Sequence, residues 1–323
     1  MTQMSVEARL AAVDRAADKY IPTERDDQFL LRLDRLLARD SAGNPVASPR
    51  KDRGTGDAQG LFVMEAAGGG KTSLVKHGLK THPLLQSKGK GHMPWIMFEA
   101  APSPATTKAL GIEILAKTGY TDVSGNPNEQ EIWRLVKHRL AVLNTVFVCI
   151  DEGHDLLGTA SAVEIRNMQK RLKNLMQGEG AVSVILVGIG ELRHLAAYDD
   201  QINRRYQKLA FDDISPVCDE RLLKGILHTL CAEAGIAAPK ETDLIERLVH
   251  ASRRRFGWFI KNTLRALELA AVAGASRLEK AHFAEDWAVQ EDAEVGKNVF
   301  LSNDWSKIDL SEKPLPPREK KGR

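Results

Sequence analysis

Apolar positions near the start of the chain recur at helical spacing. Leu10, Val13, Ala17 and Tyr20 share one face, and Phe29, Leu33, Leu36 and Leu37 share another, which predicts helix across residues 5–40. The next stretch, Asp40 to Gly60, is rich in Gly, Pro, Ser and Arg without apolar periodicity and predicts a mobile surface loop. From Leu61 the period changes. Short apolar runs at 61–65, 94–99, 145–150 and 182–187 predict buried strands with helices between them, the βαβ rhythm of a doubly wound parallel sheet ending near Phe211. After Pro216 the strands stop, and helices are predicted near 217–234, 241–250, 257–273 and 279–291. The chain therefore divides into an N-terminal helical segment and loop (1–60), an α/β core (61–215), a small all-helical lid (216–292) and a tail (293–323). Pro314, Pro316 and Pro317 and the basic end Arg318, Lys320, Lys321 and Arg323 predict a disordered or partner-dependent tail.

Two of the predicted strands end in residues that carry chemistry. The first runs into Ala67-Gly68-Gly69-Gly70-Lys71-Thr72-Ser73 as a helix opens. Consecutive glycines let backbone N–H groups turn inward around phosphate oxygens. Lys71 then reaches the β- and γ-phosphates, Thr72 holds Mg²⁺ through its hydroxyl, and the helix directs its positive end at the anion. The third run, Asn144 to Ile150, is apolar on both faces and ends in Asp151 and Glu152. In a buried parallel sheet ligands gather at the carboxyl ends of strands. Asp151 suits the metal shell, and Glu152 suits polarising the water that attacks the γ-phosphate. The glycines are not spaced G-x-G-x-x-G, which excludes a dinucleotide fingerprint. Loop and acidic strand end together point to binding, and hydrolysis, of ATP with Mg²⁺. A small-molecule kinase is disfavoured, because Glu152 beside Asp151 and a helical lid favour water as acceptor.

Composition adds bounds. The 323 residues suffice for one medium α/β domain and a smaller companion, and a net charge of +3 means that nucleic-acid affinity has to come from local patches. Cys149, Cys218 and Cys231 lack metal-ligand spacing and read as reduced core thiols of a cytoplasm-like compartment. No signal-peptide core or membrane-length apolar run is present.

An α/β core with both nucleotide motifs and a helical lid resembles the AAA+ ATPases. Further residues narrow the likeness: Lys19 to Thr23, the amphipathic helix from Phe29 to Leu37, an Arg-containing loop, Asp151 to Leu157, Leu186 to Leu192, and Arg204-Arg205-Tyr206 before the lid resemble the TniB/TnsC transposition ATPases in order and spacing. The resemblance runs from about Asp18 to Ala273. It implies an ATP-gated regulator that assembles as a ring or helical filament on double-stranded DNA and recruits a transposase, with a target-selection protein as a further partner and hydrolysis driving disassembly. It also implies an arginine, Arg204 or Arg205, reaching a neighbouring subunit's γ-phosphate, where a guanidinium is worth roughly 10³ to 10⁵ in rate. The sequence leaves the choice between them open, with Arg205 preferred.

Two departures stand out. Glu65 occupies the usual first glycine of the phosphate loop, and Gly188-Ile189-Gly190 offers no polar side chain where a strand end ordinarily places one beside the attacking water. Either Glu191 stands in or hydrolysis is slow, which would suit a timer. Among Arg253, Arg254 and Arg255, read as opening a lid helix, one is a candidate second sensor of nucleotide, taken as Arg253. His154 is assigned no chemistry. For DNA, Arg166, Lys170 and Lys173 lie on one face of the helix 163–176 opposite a stripe of Ile165, Met168, Leu172 and Leu175, and could follow one phosphate backbone without reading sequence. The Arg253-to-Arg255 run and the 50–53 loop are alternative sources of such contacts. An AAA+ motor or secretion-type ATPase, and a nucleotide-binding scaffold with little hydrolysis, remain the other readings.

Overall fold

The computed structural model describes residues 5–100, 106–121, 127–156, 161–197, 200–292 and 294–310. The elements in chain order are α1 (Val6–Asp18), α2 (Glu24–Leu36), β1 (Leu37–Arg39), β2 (Pro45–Pro49), β3 (Gly60–Met64), α3 (Lys71–Thr81), β4 (Trp95–Glu99), α4 (Thr107–Lys117), α5 (Glu129–Val142), β5 (Phe147–Asp151) and α6 (Ala162–Leu175). There follow β6 (Ser183–Gly188), α7 (Leu192–Ala197), α8 (Asp200–Arg205), β7 (Tyr206–Ala210), α9 (Glu220–Ala234), α10 (Leu244–Ala251), α11 (Phe256–Val272) and α12 (Lys280–Glu291). They form two units: Pro22–Asp212, and a second joining the start of the chain through Ile21 to everything from Asp213 onward.

The first unit is a five-stranded sheet in the order β4-β5-β6-β3-β7, every pair parallel. Alternate residues of one strand serve opposite cores, as the pleat requires. Phe62, Met64, Val148 and Ile150 face a core completed by α4, α5 and α6, while Leu61, Val63, Phe147 and Cys149 face one completed by α2 and α3. Being covered on both sides makes the central strands continuous apolar runs. The four predicted strands are present to within two residues at each end. The fifth, β7, carries Gln207, Lys208 and Ala210 at partly or fully exposed positions on the sheet edge, so it has no apolar run to betray it.

Three expectations are corrected. Residues 5–40 are not one helical stretch: the chain straightens at Lys19–Pro22 and Leu37 begins a strand. The 40–60 segment is not a mobile loop throughout, because β2 returns antiparallel on β1, and Asp57 and Ala58 are buried. Nor do residues 1–60 form one segment. Val13 and Ala16 of α1 are buried in the helical unit, whereas Phe29 and Leu33 of α2 are buried against the sheet.

The second unit is helical, with α1, α9, α10, α11 and α12 around one core that includes Leu227, Phe259 and Trp287. Part of the expected disordered tail also belongs to it. Val299 and Phe300 are buried there, and Arg247 donates to the carbonyls of Val299 (2.6 Å) and Ser302 (2.9 Å). The prolines and basic end beyond Leu310 lie outside the described residues. Burial lifts the Cys149 thiol well above its ordinary value and Cys231 to about 12, while Cys218, expected in a core, is exposed. Among the described residues no helix is long and apolar enough to cross a membrane.

Candidate functional site

The phosphate loop joins β3 to α3. Its entry is fixed where the Glu65 N–H donates to the carbonyl of Gly188 on β6 (3.1 Å). Gly68 (φ +77°) and Gly70 (φ +97°) take left-handed conformations that a side chain would strain, which is why the loop needs glycine there. Gly70 caps α3 without a side chain, so the first-turn N–H groups of an eleven-residue helix have neither an intrahelical acceptor nor a capping oxygen. Such an N-terminus has the donors and the dipole end that suit an anion. Lys71 is 4% exposed, while Thr72 and Ser73 on the same turn are open to solvent.

Glu65 does not face the space above the loop. Its carboxylate is buried and paired with Arg25, which sits in the first turn of α2 behind the Thr23 capping box. The same guanidinium donates to the carbonyl of Gly69 (3.0 Å) and lies 4.4 Å over the Phe211 ring. A Cβ on Gly69 would stand 1.9 Å from Glu65 Cδ, so the loop glycine and the acidic side chain beneath it are two halves of one fit. The acid that looked hostile to phosphate is thus neutralised under the loop. The sequence flagged Glu65 but missed Arg25, whose only signal was that a buried carboxylate demands a cation somewhere.

Asp151 closes β5 and is buried, and the Glu152 N–H donates to its Oδ1 (2.9 Å). Glu152 itself adopts φ +47°, a conformation rare outside glycine and characteristic of sites where position is bought with strain. Its Oε1 lies 4.0 Å from Lys71 Nζ, bringing the lysine and the base candidate to one point. The donor set fits Mg²⁺ with a nucleotide: an aspartate at a strand end and an exposed Thr72 hydroxyl are the one or two protein ligands this ion uses alongside phosphate oxygens and water. Among the described residues no cluster of three or more His, Cys, Asp or Glu offers an all-protein metal cage.

The outlying arginines have definite partners. Arg205 pairs with Asp57, both largely buried, and Gln177 also donates to that carboxylate (3.2 Å). Burial pushes Asp57 up, but these hydrogen bonds outweigh it and hold the carboxyl below its ordinary value. A depressed pKa means stability present above the ordinary carboxylate range and lost as pH falls through the lowered value. Arg205→Ala is therefore expected to cost about 3 kcal/mol at neutral pH by stranding a buried charge. Urea melts at pH 7 and pH 3 check it, since the deficit should shrink as Asp57 protonates; an equal deficit at both would discount the ion pair. Arg204 is exposed. Arg253 and Arg254 are not on a helix: they form the left-handed turn between α10 and α11 (φ +48° and +58°). Within the helical unit Arg253 makes two 2.9 Å bonds to Glu291, donates to the Leu310 carbonyl (3.1 Å) and stacks on Trp258.

On α6 the stripe Ile165, Met168, Leu172 and Leu175 is buried as expected. Arg166 and Lys170 are exposed, but Lys173 is half-buried, its charge felt by Asp57. The 50–58 segment is anchored to the end of this helix, with Ala58 N–H on the Met176 carbonyl (2.7 Å) and Lys51 on that of Gly178 (3.4 Å). Two basic sets that the sequence treated as alternatives, Arg50-Lys51-Arg53 and Arg166-Lys170, therefore lie on adjoining elements.

A family model described as bacterial TniB protein matches residues 12–216. No curated protein matches the chain. Among solved structures, the ORC1 protein of Aeropyrum pernix in complex with DNA is 16% identical (TM-score 0.58), covering 86% of this chain and 67% of that one. The ORC2 protein of the same organism, in ADPNP–ADP complexes, is 17% identical (TM-score 0.57; 86% and 70% covered). Cdc6p of Pyrobaculum aerophilum is 13% identical (TM-score 0.57; 86% and 73% covered). At such identity these neighbours bear on the fold, which is AAA+.

Proposed function

Since the chain belongs to the TniB family of AAA+ proteins, we propose that it is an ATP-hydrolysing regulator of DNA transposition that assembles on duplex DNA and recruits a transposase. The observation that carries the chemistry is the convergence of Lys71 and Glu152 above an uncapped helix N-terminus. Lys71 and the loop N–H groups hold the β- and γ-phosphates, while Thr72 and Asp151 hold the metal. Bound Mg²⁺ supplies charge neutralisation across the phosphates. Glu152 takes a proton from water as the water oxygen attacks the γ-phosphorus, the bond to the β–γ bridging oxygen breaks, and ADP and phosphate leave. Of the two candidates for a residue acting on a neighbouring subunit, we favour Arg204 for its exposure, Arg205 being partly buried beside Asp57.

The DNA surface we assign is α6 with the adjoining 50–53 segment. The ORC1 protein solved on DNA shares the fold, which is compatible with this role. Arg166 and Lys170 on α6, and Arg50, Lys51 and Arg53 beside its end, contact phosphates and not base edges, so binding is indifferent to sequence and steeply salt-dependent. Association with duplex DNA should require ATP. Removing Arg166 and Lys170 together should flatten the log–log salt slope by about two units without altering ATP affinity. Salt titrations of both proteins test this; absence of ATP-dependent association at low salt would remove the DNA-regulator reading and leave a motor or scaffold.

A further inference from the structure

The end of β6 offers no polar side chain near the attacking water, yet the space beside it is filled. A Cβ on Gly188 would lie 3.1 Å from both Nδ1 of His154 and Cδ1 of Leu192, so the imidazole and Leu192 together fill the place a side chain at 188 would take. His154 stands on the short 3-10 turn Gly153–Leu156 that follows Glu152, where a Cβ on the buried Gly153 would reach Leu186 and Leu192 at 3.4 Å. Its Nδ1 lies 3.3 Å from Glu152 Oε2 and its Nε2 3.7 Å from Asp155 Oδ1. Nδ1 is buried and has no hydrogen-bond partner among the described residues, which is unusual for a ring nitrogen that close to a carboxylate. The carboxylate is thus addressed from two sides, by Lys71 at Oε1 (4.0 Å) and by His154 at Oε2.

We propose that His154 is the positioning residue for Glu152, doing from the strand β5 side what a polar residue at the end of β6 would otherwise do. This rests on Glu152 being the base. When a triphosphate binds, the phosphates compete for Lys71 and release Oε1 toward the attacking water. A small ring rotation gives Nδ1–H a hydrogen bond to Oε2 and holds the carboxylate in line. Gly188 serves by its emptiness: it leaves the ring room, and its backbone does not itself require glycine, since its φ is not left-handed.

Steady-state ATP turnover and binding of a non-hydrolysable ATP analogue, measured for wild type and four variants, test the assignment. His154→Ala should lower kcat about 10- to 100-fold, the usual cost of losing an orienting partner, without changing analogue affinity. His154→Asn, which offers an amide N–H near the Nδ1 position, should keep most of the activity. Gly188→Ser alone should lower kcat by crowding the ring, and His154→Ala with Gly188→Ser should exceed either single variant, because the hydroxyl then fills the vacated space. Unchanged kcat in His154→Ala would overturn the proposal. So would a loss that neither His154→Asn nor the double variant recovers, or one matched by an equal loss of analogue affinity, since either reduces His154 to packing. Wild type that binds ATP without turning it over fails differently: it removes the hydrolytic role of Glu152, and this inference with it.

Discussion

Glu152→Gln is expected to keep ATP affinity and to lower turnover by about 10² to 10⁴-fold, the range general-base catalysis contributes. Glutamine preserves the volume and leaves the strained backbone at residue 152 in place, so the loop and Lys71 are undisturbed. What is lost is proton acceptance. Removing the 4.0 Å attraction between Lys71 and Glu152 should, if anything, free the lysine for phosphate and tighten binding slightly. Lys71→Ala should do the opposite. It deletes the buried cation assigned to the phosphates, and is expected to abolish binding and with it every ATP-dependent association with DNA. Equilibrium titration with a fluorescent ATP analogue and phosphate release, run on both variants, separate the two roles. Wild-type turnover in Glu152→Gln would take Glu152 out of the mechanism and move the search to Glu191 or Asp155.

The sheet's buried strands and the nucleotide motif were legible for one physical reason: both are local. A strand covered on two faces must be apolar over its length, as Leu61–Met64 and Phe147–Ile150 are, and a loop that wraps phosphate must spend consecutive glycines. What was not legible depends on contacts across long stretches of chain. The β1–β2 hairpin carries proline at both ends of β2 and is bonded only to β1, so its sequence reads as loop. Strand β7 is an edge whose exposed residues dilute its pattern. The reach of Arg25 to Glu65 spans 40 positions and that of Arg205 to Asp57 spans 148, and no spacing rule connects them. The same holds for His154: it follows Glu152 closely in sequence, but its meaning depends on a glycine on another strand.

Arg25→Ala is expected to be the most damaging substitution away from the catalytic groups. Arg25 and Glu65 side chains are 15% and 5% exposed, so removing the cation leaves a carboxylate in a space that water barely reaches. Breaking such a pair from one side costs about 3 to 5 kcal/mol, or forces Glu65 to take up a proton. The damage reaches function because the same guanidinium holds the Gly69 carbonyl; without it the loop loses a brace, and an uncompensated negative charge lies beneath the phosphate site. Nucleotide affinity should fall along with the melting temperature. Glu65→Gly in the Arg25→Ala background removes the stranded charge and brings back the usual first glycine, so the double variant should recover much of the ATP affinity lost by Arg25→Ala. It will not recover all the stability, because the packing of the arginine on Phe211 and its bond to Gly69 are gone. A double-mutant cycle in urea should therefore show coupling of about 1 to 3 kcal/mol between the two sites. Additive costs, with ATP affinity no better in the double variant than in Arg25→Ala, would mean that Glu65 is tolerated under the loop without Arg25 and that the pair does not hold the phosphate site in shape.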